Sequence, residues 1–345
     1  MTHTSHPAGN LLSLPPPRLA PQALARLAQT HWGVTGKLVP LTSERDLNHR
    51  LETGATNFTL KLSNSVEPAA MTRFQTAALQ HVAACDPGLP TPHVVPARDG
   101  NLIIPLPEGA LRLLSWCPGT PLAHLPRSAA LATATGDALA RLTLALKGFR
   151  DPAADHVLLW DIRRFALLKP LLPTLPAALQ AEVTTFDAHF RDRIAPMLAD
   201  LPTQIVHADF NPHNLLADAG DPTRITGILD FGDMVQTPRI CDLAVAASYL
   251  VDPQDPASLL VPLVAAYNAR LPLLPQEIAL LPDLITARML ITLTLSGWRA
   301  ARYPENADYI LRNAPASRAG LDALRKTESA ALLRALHLAC ERSQT

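Results

Sequence analysis

Two short polar stretches hold the residues best suited to chemistry. One is His207-Ala208-Asp209-Phe210-Asn211-Pro212-His213-Asn214, the other Asp230-Phe231-Gly232-Asp233. Each follows an apolar run, Ile205-Val206 and Gly227-Ile228-Leu229, so each lies at the end of a buried strand. A turn rich in Asp, Gly and Pro, residues 218–222, joins the two segments, and a hairpin there brings Asn214 close to Asp230. An amide oxygen beside a carboxylate makes a hard-oxygen site suited to Mg²⁺. Asp209 precedes Asn214 across a loop and is placed to act as a base on an incoming hydroxyl. One Asp on the nucleophile, with an Asn and a second Asp on the metal, is the arrangement that phosphoryl transfer uses. The competing chemistry is a transition-metal site on His207, Asp209 and His213, as in a hydrolase. His207 also fits a core histidine, and His213 either a loop residue or a substrate contact.

These segments need a scaffold. The pattern predicts a helix over Pro21–His31, then strands over Val34–Thr42, Leu47–Thr53 and Asn57–Leu62. A helix over Pro68–Cys85 follows, then strands over Val94–Ala97, Leu102–Pro105 and Leu111–Trp116. The chain changes character at Cys117-Pro118-Gly119. Beyond it, helices are expected over Ser128–Leu146, Pro176–Leu198, Arg239–Val251, Pro256–Arg270 and Pro275–Arg302, with the polar hairpin Gln204–Asp233 inserted among them. The fold class is therefore α+β: a small strand-rich N-lobe over residues 19–116 and a larger, mainly helical C-lobe over 117–345. Residues 1–18, polar and then rich in Pro, are expected to be a flexible tail.

Composition excludes other classes. The chain of 345 residues has 30 Lys plus Arg against 30 Asp plus Glu, so no global positive field is available for nucleic acid. Charged residues are 17% and hydrophobic ones 48%, unlike a disordered chain. The four cysteines, Cys85, Cys117, Cys241 and Cys340, form no C-x-x-C pair, which argues against a zinc ribbon or a disulfide scaffold. The most apolar stretch is interrupted by Pro282, Asp283 and Arg288, against a membrane span. A cytoplasmic enzyme with no nucleic-acid or membrane partner is expected, its oligomeric state open.

The pattern H-x-D-x₄-N at His207–Asn214, followed by Asp230-Phe231-Gly232, resembles the aminoglycoside phosphotransferase and choline kinase superfamily. That resemblance implies a bilobal protein-kinase-like fold. It makes Asp209 the catalytic Asp, Asn214 and Asp230 the metal ligands, and His207 a structural histidine. Ala208 stands where protein kinases carry Arg, which implies no control by a phosphorylated activation loop. Asn57–Leu62 resembles the strand whose Lys, here Lys61, contacts nucleotide phosphates. The turn Ser43–His49 resembles the one that replaces the glycine loop, in keeping with only 15 Gly in the chain. Ser43, Asn48 and backbone N–H groups would cover the phosphates. The family's Glu partner of that Lys is replaced by Gln75, with Glu67 as the alternative. The Ser115–Pro118 linker, with Ser115 and Trp116, would face the nucleotide base.

Further stretches, among them Leu159–Arg163, Thr237–Ala244, Ser296–Ala300 and Pro304–Tyr309, resemble the hydroxylysine kinase branch. This implies Mg²⁺, ATP or GTP as donor, and an amino-acid-like hydroxyl acceptor, 5-hydroxylysine first. Homoserine, an amino alcohol or an aminoglycoside are the alternatives within the same chemistry. A nucleotide-binding pseudokinase serving as an interaction module, supported by Gln75, is the alternative outside it. An amino acid needs an anion for its ammonium and a cation for its carboxylate. Asp233, Trp160, Asp161, Trp298 and Arg299 are the candidate acceptor contacts. Asp242, in the first turn of an apolar helix, is expected to cap that helix or anchor a loop.

Overall fold

A computed structural model describes residues 16–43 and 45–343, so most of the expected tail, and Glu44, lie outside the described residues. The alternation in Asn57–Leu62 becomes strand β3 (Asn57–Asn64), with Leu60 and Leu62 fully buried and Lys61 on the opposite face. It lies in an antiparallel sheet with β1 (Lys37–Leu41), β2 (Leu47–Glu52), β4 (Val94–Val95), β5 (Ile104–Leu106) and β6 (Gly109–Ser115). The order is β1-β2-β3-β6-β4, with β5 also paired to β6. Register sets Lys61 opposite Asn48 on one side and Arg112 on the other. One helix, Pro21–Trp32, buries Leu24, Ala28 and Trp32 against Leu51, Leu60, Leu62, Leu111 and Leu113. It stops at Gly33, whose φ of 71° suits a residue without Cβ. The helix Ala69–Cys85 packs the other way, its Phe74, Ala78, Leu79 and Val82 joining the larger core.

That larger core is helical. It is built on Ala129–Ala145, Ile240–Ser248, Ala257–Arg270 and the long helix Pro275–Arg302, which runs through its middle. Ser128 caps the first of these, its Oγ accepting the Leu131 N–H. The helix expected over Pro176–Leu198 is found as one helical run with a widened turn inside it: Ala177–His189 passes through Phe190–Ile194 into Ala195–Ala199. Pro196 removes a backbone donor there, which loosens the ladder. By length and apolar content Pro275–Arg302 does qualify as a membrane span, contrary to the expectation from its interruptions. However, 78% of its apolar window is buried inside the fold, where it serves as the core helix. The chain ends in two helices the sequence pattern did not single out, Ala314–Lys326 and Ser329–Arg342.

The inserted polar segment forms two ladders, not one. Strands β9 (Leu215–Ala217) and β10 (Ile225–Ile228) make the expected hairpin, and β7 (Thr120–Pro121), just past the linker, pairs with β9. Strand β8 (Thr203–Val206) instead pairs with β11 (Val235–Pro238), setting Val206 opposite Val235. The two polar segments therefore emerge side by side from paired strands, beneath the N-terminal sheet.

Candidate active site

The loop after β8 is bent by Ala208, whose φ of 62° is costly for a residue with a Cβ. Buried Asp242 holds that bend. Its Oδ1 accepts the Ala208 N–H at 2.8 Å and its Oδ2 the His207 N–H at 3.1 Å. So Asp242 anchors the loop. Burial raises its pKa, against the pull of His207 and the two amides. The His207 ring is engaged on both nitrogens: Nε2 lies 2.9 Å from the Leu229 carbonyl, and Nδ1 accepts the Asp209 N–H at 3.2 Å. Both ring nitrogens being in use, His207 is not a transition-metal ligand here, and that reading falls.

Asp209 is held from two sides. Asn214 Nδ2 donates to its Oδ2 at 2.8 Å, and Arg288 Nη2 lies 3.3 Å from its Oδ1. Arg288 is buried in the long helix, donates to the Trp160 carbonyl at 3.0 Å, and lies with its guanidinium carbon 5.0 Å from the Trp160 ring centre. Burial raises the pKa of Asp209, Asp233 raises it further, and Arg288 opposes both. A carboxylate so poised can take a proton from a bound hydroxyl.

Asn214 and Asp230 end the β9–β10 hairpin, where the Leu229 N–H donates to the Asn214 carbonyl at 2.7 Å. With Nδ2 turned to Asp209, Asn214 has its Oδ1 for a cation. Asp230, with φ 58°, presents a carboxylate that is nearly half exposed. This pair of hard oxygens fits a divalent ion. Among the described residues no three His, Cys, Asp or Glu side chains gather around a metal position, so phosphate and water oxygens would complete the shell.

Lys61 Nζ lies 4.0 Å from Asp230 Oδ1 and 2.8 Å from Asp46 Oδ2. Burial works against its charge, but Asp46 and Asp230 outweigh this and raise its pKa. Gln75 is not its partner, a correction to the expectation. The Gln75 side chain accepts from Arg112 at 3.0 Å and donates to Glu67 at 3.0 Å. Arg112 is buried opposite Lys61, and Gln75 relays its charge to Glu67. Asp46 has taken the place expected of a helix carboxylate.

In the turn before β2, Ser43 Oγ accepts the Asp46 N–H at 3.2 Å. Asn48 stands beside Lys61, and its Oδ1 is buried with no hydrogen-bond partner among the described residues. Arg45, not singled out from sequence, reaches across the cleft to Asp233, Nη2 to Oδ1 being 2.7 Å. Burial raises the Asp233 pKa, but Arg45 more than reverses this and leaves it low. One oxygen of Asp233 is thus committed to Arg45 rather than to an acceptor. At the linker, Ser115 spends its Oγ on the His93 N–H at 2.8 Å, and the guanidinium carbon of Arg50 lies 5.3 Å from the Trp116 ring centre.

One candidate acceptor contact, Asp161, is corrected. Asp161 is fully buried, accepts Thr237 Oγ1–H at 2.8 Å, and caps the turn at Arg163, so it is structural. Trp298 packs on the core, and Arg299 lies about three turns, or about 16 Å, along the helix from Arg288. The cation at Asp209 is Arg288. The signal was legible: Arg288 is the one charge within the apolar stretch 284–298, and such a charge requires a buried partner. His213 is half-buried, its Nε2 lying 3.2 Å from Asn313 Oδ1.

Residues 37–280 match the Phosphotransferase enzyme family. The chain belongs to that family. It is 25% identical over 330 residues to hydroxylysine kinase of Bos taurus, covering 87% of each chain. With hydroxylysine kinase of Danio rerio it shares 27% over 316 residues, covering 86% of this chain and 88% of the relative. An uncharacterized protein of Deinococcus radiodurans is 29% identical over 301 residues, covering 83% and 84%. The fold is shared with a microcompartment-associated aminopropanol kinase (TM-score 0.68, 19% identity, 90% of this chain and 99% of that one). It is also shared with amicoumacin kinase hAmiN in complex with AMP-PNP, Ca²⁺ and Ami (TM-score 0.67, 14% identity, 90% and 94%). This family member is a small-molecule phosphotransferase.

Proposed function

We propose that the chain transfers the γ-phosphoryl group of ATP or GTP to the side-chain hydroxyl of an amino-acid-like acceptor, 5-hydroxylysine first. The observation that carries this is Asp209, held between Arg288 and Asn214 and facing the cleft that Lys61 and Asp230 border. Asp209 accepts the hydroxyl proton, and Lys61 holds donor phosphates in place of Asp46. Mg²⁺ on Asn214 and Asp230 would supply neutralisation of phosphate charge. The chain's own contribution is positioning and fixed charge.

The acceptor assignment draws on the hydroxylysine kinase relatives and on a cavity of about 290 Å³ beside the catalytic loop. Leu122, Leu131, Phe210, Tyr249 and Leu250 line it together with Arg127, and among the described residues no carboxylate does. Arg127 suits the carboxylate of an amino-acid acceptor, and the acceptor's ammonium groups would need carboxylates outside this cavity. The pseudokinase reading loses its support, because Gln75 is explained by Arg112 and Glu67.

The test is an acceptor screen of hydroxylysine, homoserine, choline and kanamycin, with ATP and GTP each. Asp209→Ala should abolish transfer while leaving nucleotide binding largely intact. Full turnover in that variant would sink the assignment of the base.

A further inference from the structure

We propose that Arg45 is a second catalytic cation of this cleft, contacting the phosphoryl group during transfer while Asp233 holds its guanidinium in place. This rests on the phosphotransferase reading above. Two distances place the group. Nη2 lies 2.7 Å from Asp233 Oδ1, a contact between the N-terminal sheet's turn and the segment after β10. It also lies directly over Gly232, where an added Cβ would come within 3.4 Å of that nitrogen and 3.0 Å of Asp230 Oδ1. Lys61 approaches the same Asp230 oxygen at 4.0 Å. Arg45 and Lys61 therefore flank Asp230.

Their positions are not equivalent. Arg45 is anchored on Asp233, three residues past Asp230, and packs over Gly232 between them, whereas Lys61 is tied to Asp46. A triphosphate laid along Asp230 would meet Lys61 on one flank and Arg45 on the other.

The exposure fits a working cation. The Asp233 side chain is 10% exposed and that of Arg45 33%, so the anchor is buried and the cation stays accessible. A guanidinium carries five N–H donors, and among the described residues Asp233 takes one of them. Asn64 Nδ2, 3.5 Å from the Arg45 carbonyl, and Ser43 at Asp46 steady the turn.

In the step itself, the acceptor oxygen bonds to phosphorus as the bond to the leaving nucleoside diphosphate breaks. The leaving oxygen keeps that electron pair, and the acceptor proton passes to Asp209. Charge spreads over the three oxygens of the transferred group, where Arg45 would meet it.

The test compares MgADP alone with MgADP plus aluminium fluoride and 5-hydroxylysine, by calorimetry, alongside kcat. In the wild type, the fluoride complex should bind more tightly. Arg45→Gln should keep MgADP affinity, lose that tightening, and lose about 10²–10³-fold in kcat. Arg45→Lys, which keeps charge without the fork, should recover part of both, and it keeps the test open should the Gln variant not fold. Asp233→Asn, which weakens the anchor and leaves the Arg45 guanidinium in place, should lower kcat less. Equal tightening in wild type and Arg45→Gln would overturn the role of Arg45 alone, as would a parallel loss of MgADP affinity. No tightening in the wild type would overturn the kinase reading and this proposal with it.

Discussion

Arg288 offers the sharpest test of how the site sets its base. Its guanidinium lies 3.3 Å from Asp209 Oδ1 and is itself 1% exposed, whereas the Asp209 side chain is 23% exposed. Replacing Arg288 by Met keeps the bulk in the long helix and removes the charge. Coulomb attraction at that distance is about 5 kcal/mol at an effective dielectric of about 20, and about 1 kcal/mol in bulk water. Asp209 is partly solvated, so the effect falls inside that bracket, or roughly 1–3 pKa units. The sign follows from the role. Burial and Asp233 already raise the Asp209 pKa, and Arg288 is the cation opposing them. Without it the pKa rises further, and a base is useful only when ionised. The acid limb of kcat/KM against pH should move up by about 1–3 units. Most of the loss below the limb should be recovered at high pH, and Arg288→Lys should keep the limb near its original place. A loss equal at every pH, with a lowered melting temperature, would show that Arg288 acts only through packing. An unmoved limb would refute Asp209 as the base that titrates.

Asp230→Asn should remove most of the metal dependence of nucleotide binding, read by titrating nucleotide with and without Mg²⁺; unchanged dependence would place the ion elsewhere. Asp242→Ala orphans two buried amides and should cost about 3 kcal/mol or more in urea unfolding, together with nearly all turnover. A stable and active variant would show that the bend at Ala208 holds itself. Gln75→Leu strips Arg112 of an acceptor and should destabilise by about 1–3 kcal/mol while sparing nucleotide affinity, since Lys61 pairs elsewhere. A selective loss of nucleotide affinity would restore Gln75 to the phosphate site.

The sequence alone determined the site's chemistry. Asp209 and Asp230 each come after an apolar run and Asn214 just before one, and strands that bury such runs must deliver the polar residues at their ends. Lys61 was legible for the same local reason, since two-residue alternation in β3 sends it to the face opposite Leu60 and Leu62. Tertiary structure decided how these charges are compensated. Asp46 meets Lys61, Arg45 meets Asp233 and Arg288 meets Asp209, with sequence separations from 15 residues to 188. Periodicity reports which face a side chain occupies; it says nothing of what another element brings to that face. Gln75 illustrates the limit. Its spacing suited a partner for Lys61, but Arg112, the next strand's cation, reached it first. Asp161 had the right type for an acceptor contact, but the fold spends it on Thr237 and on the Arg163 N–H. Ion pairs form between neighbours in space, and only the closed fold makes those neighbours.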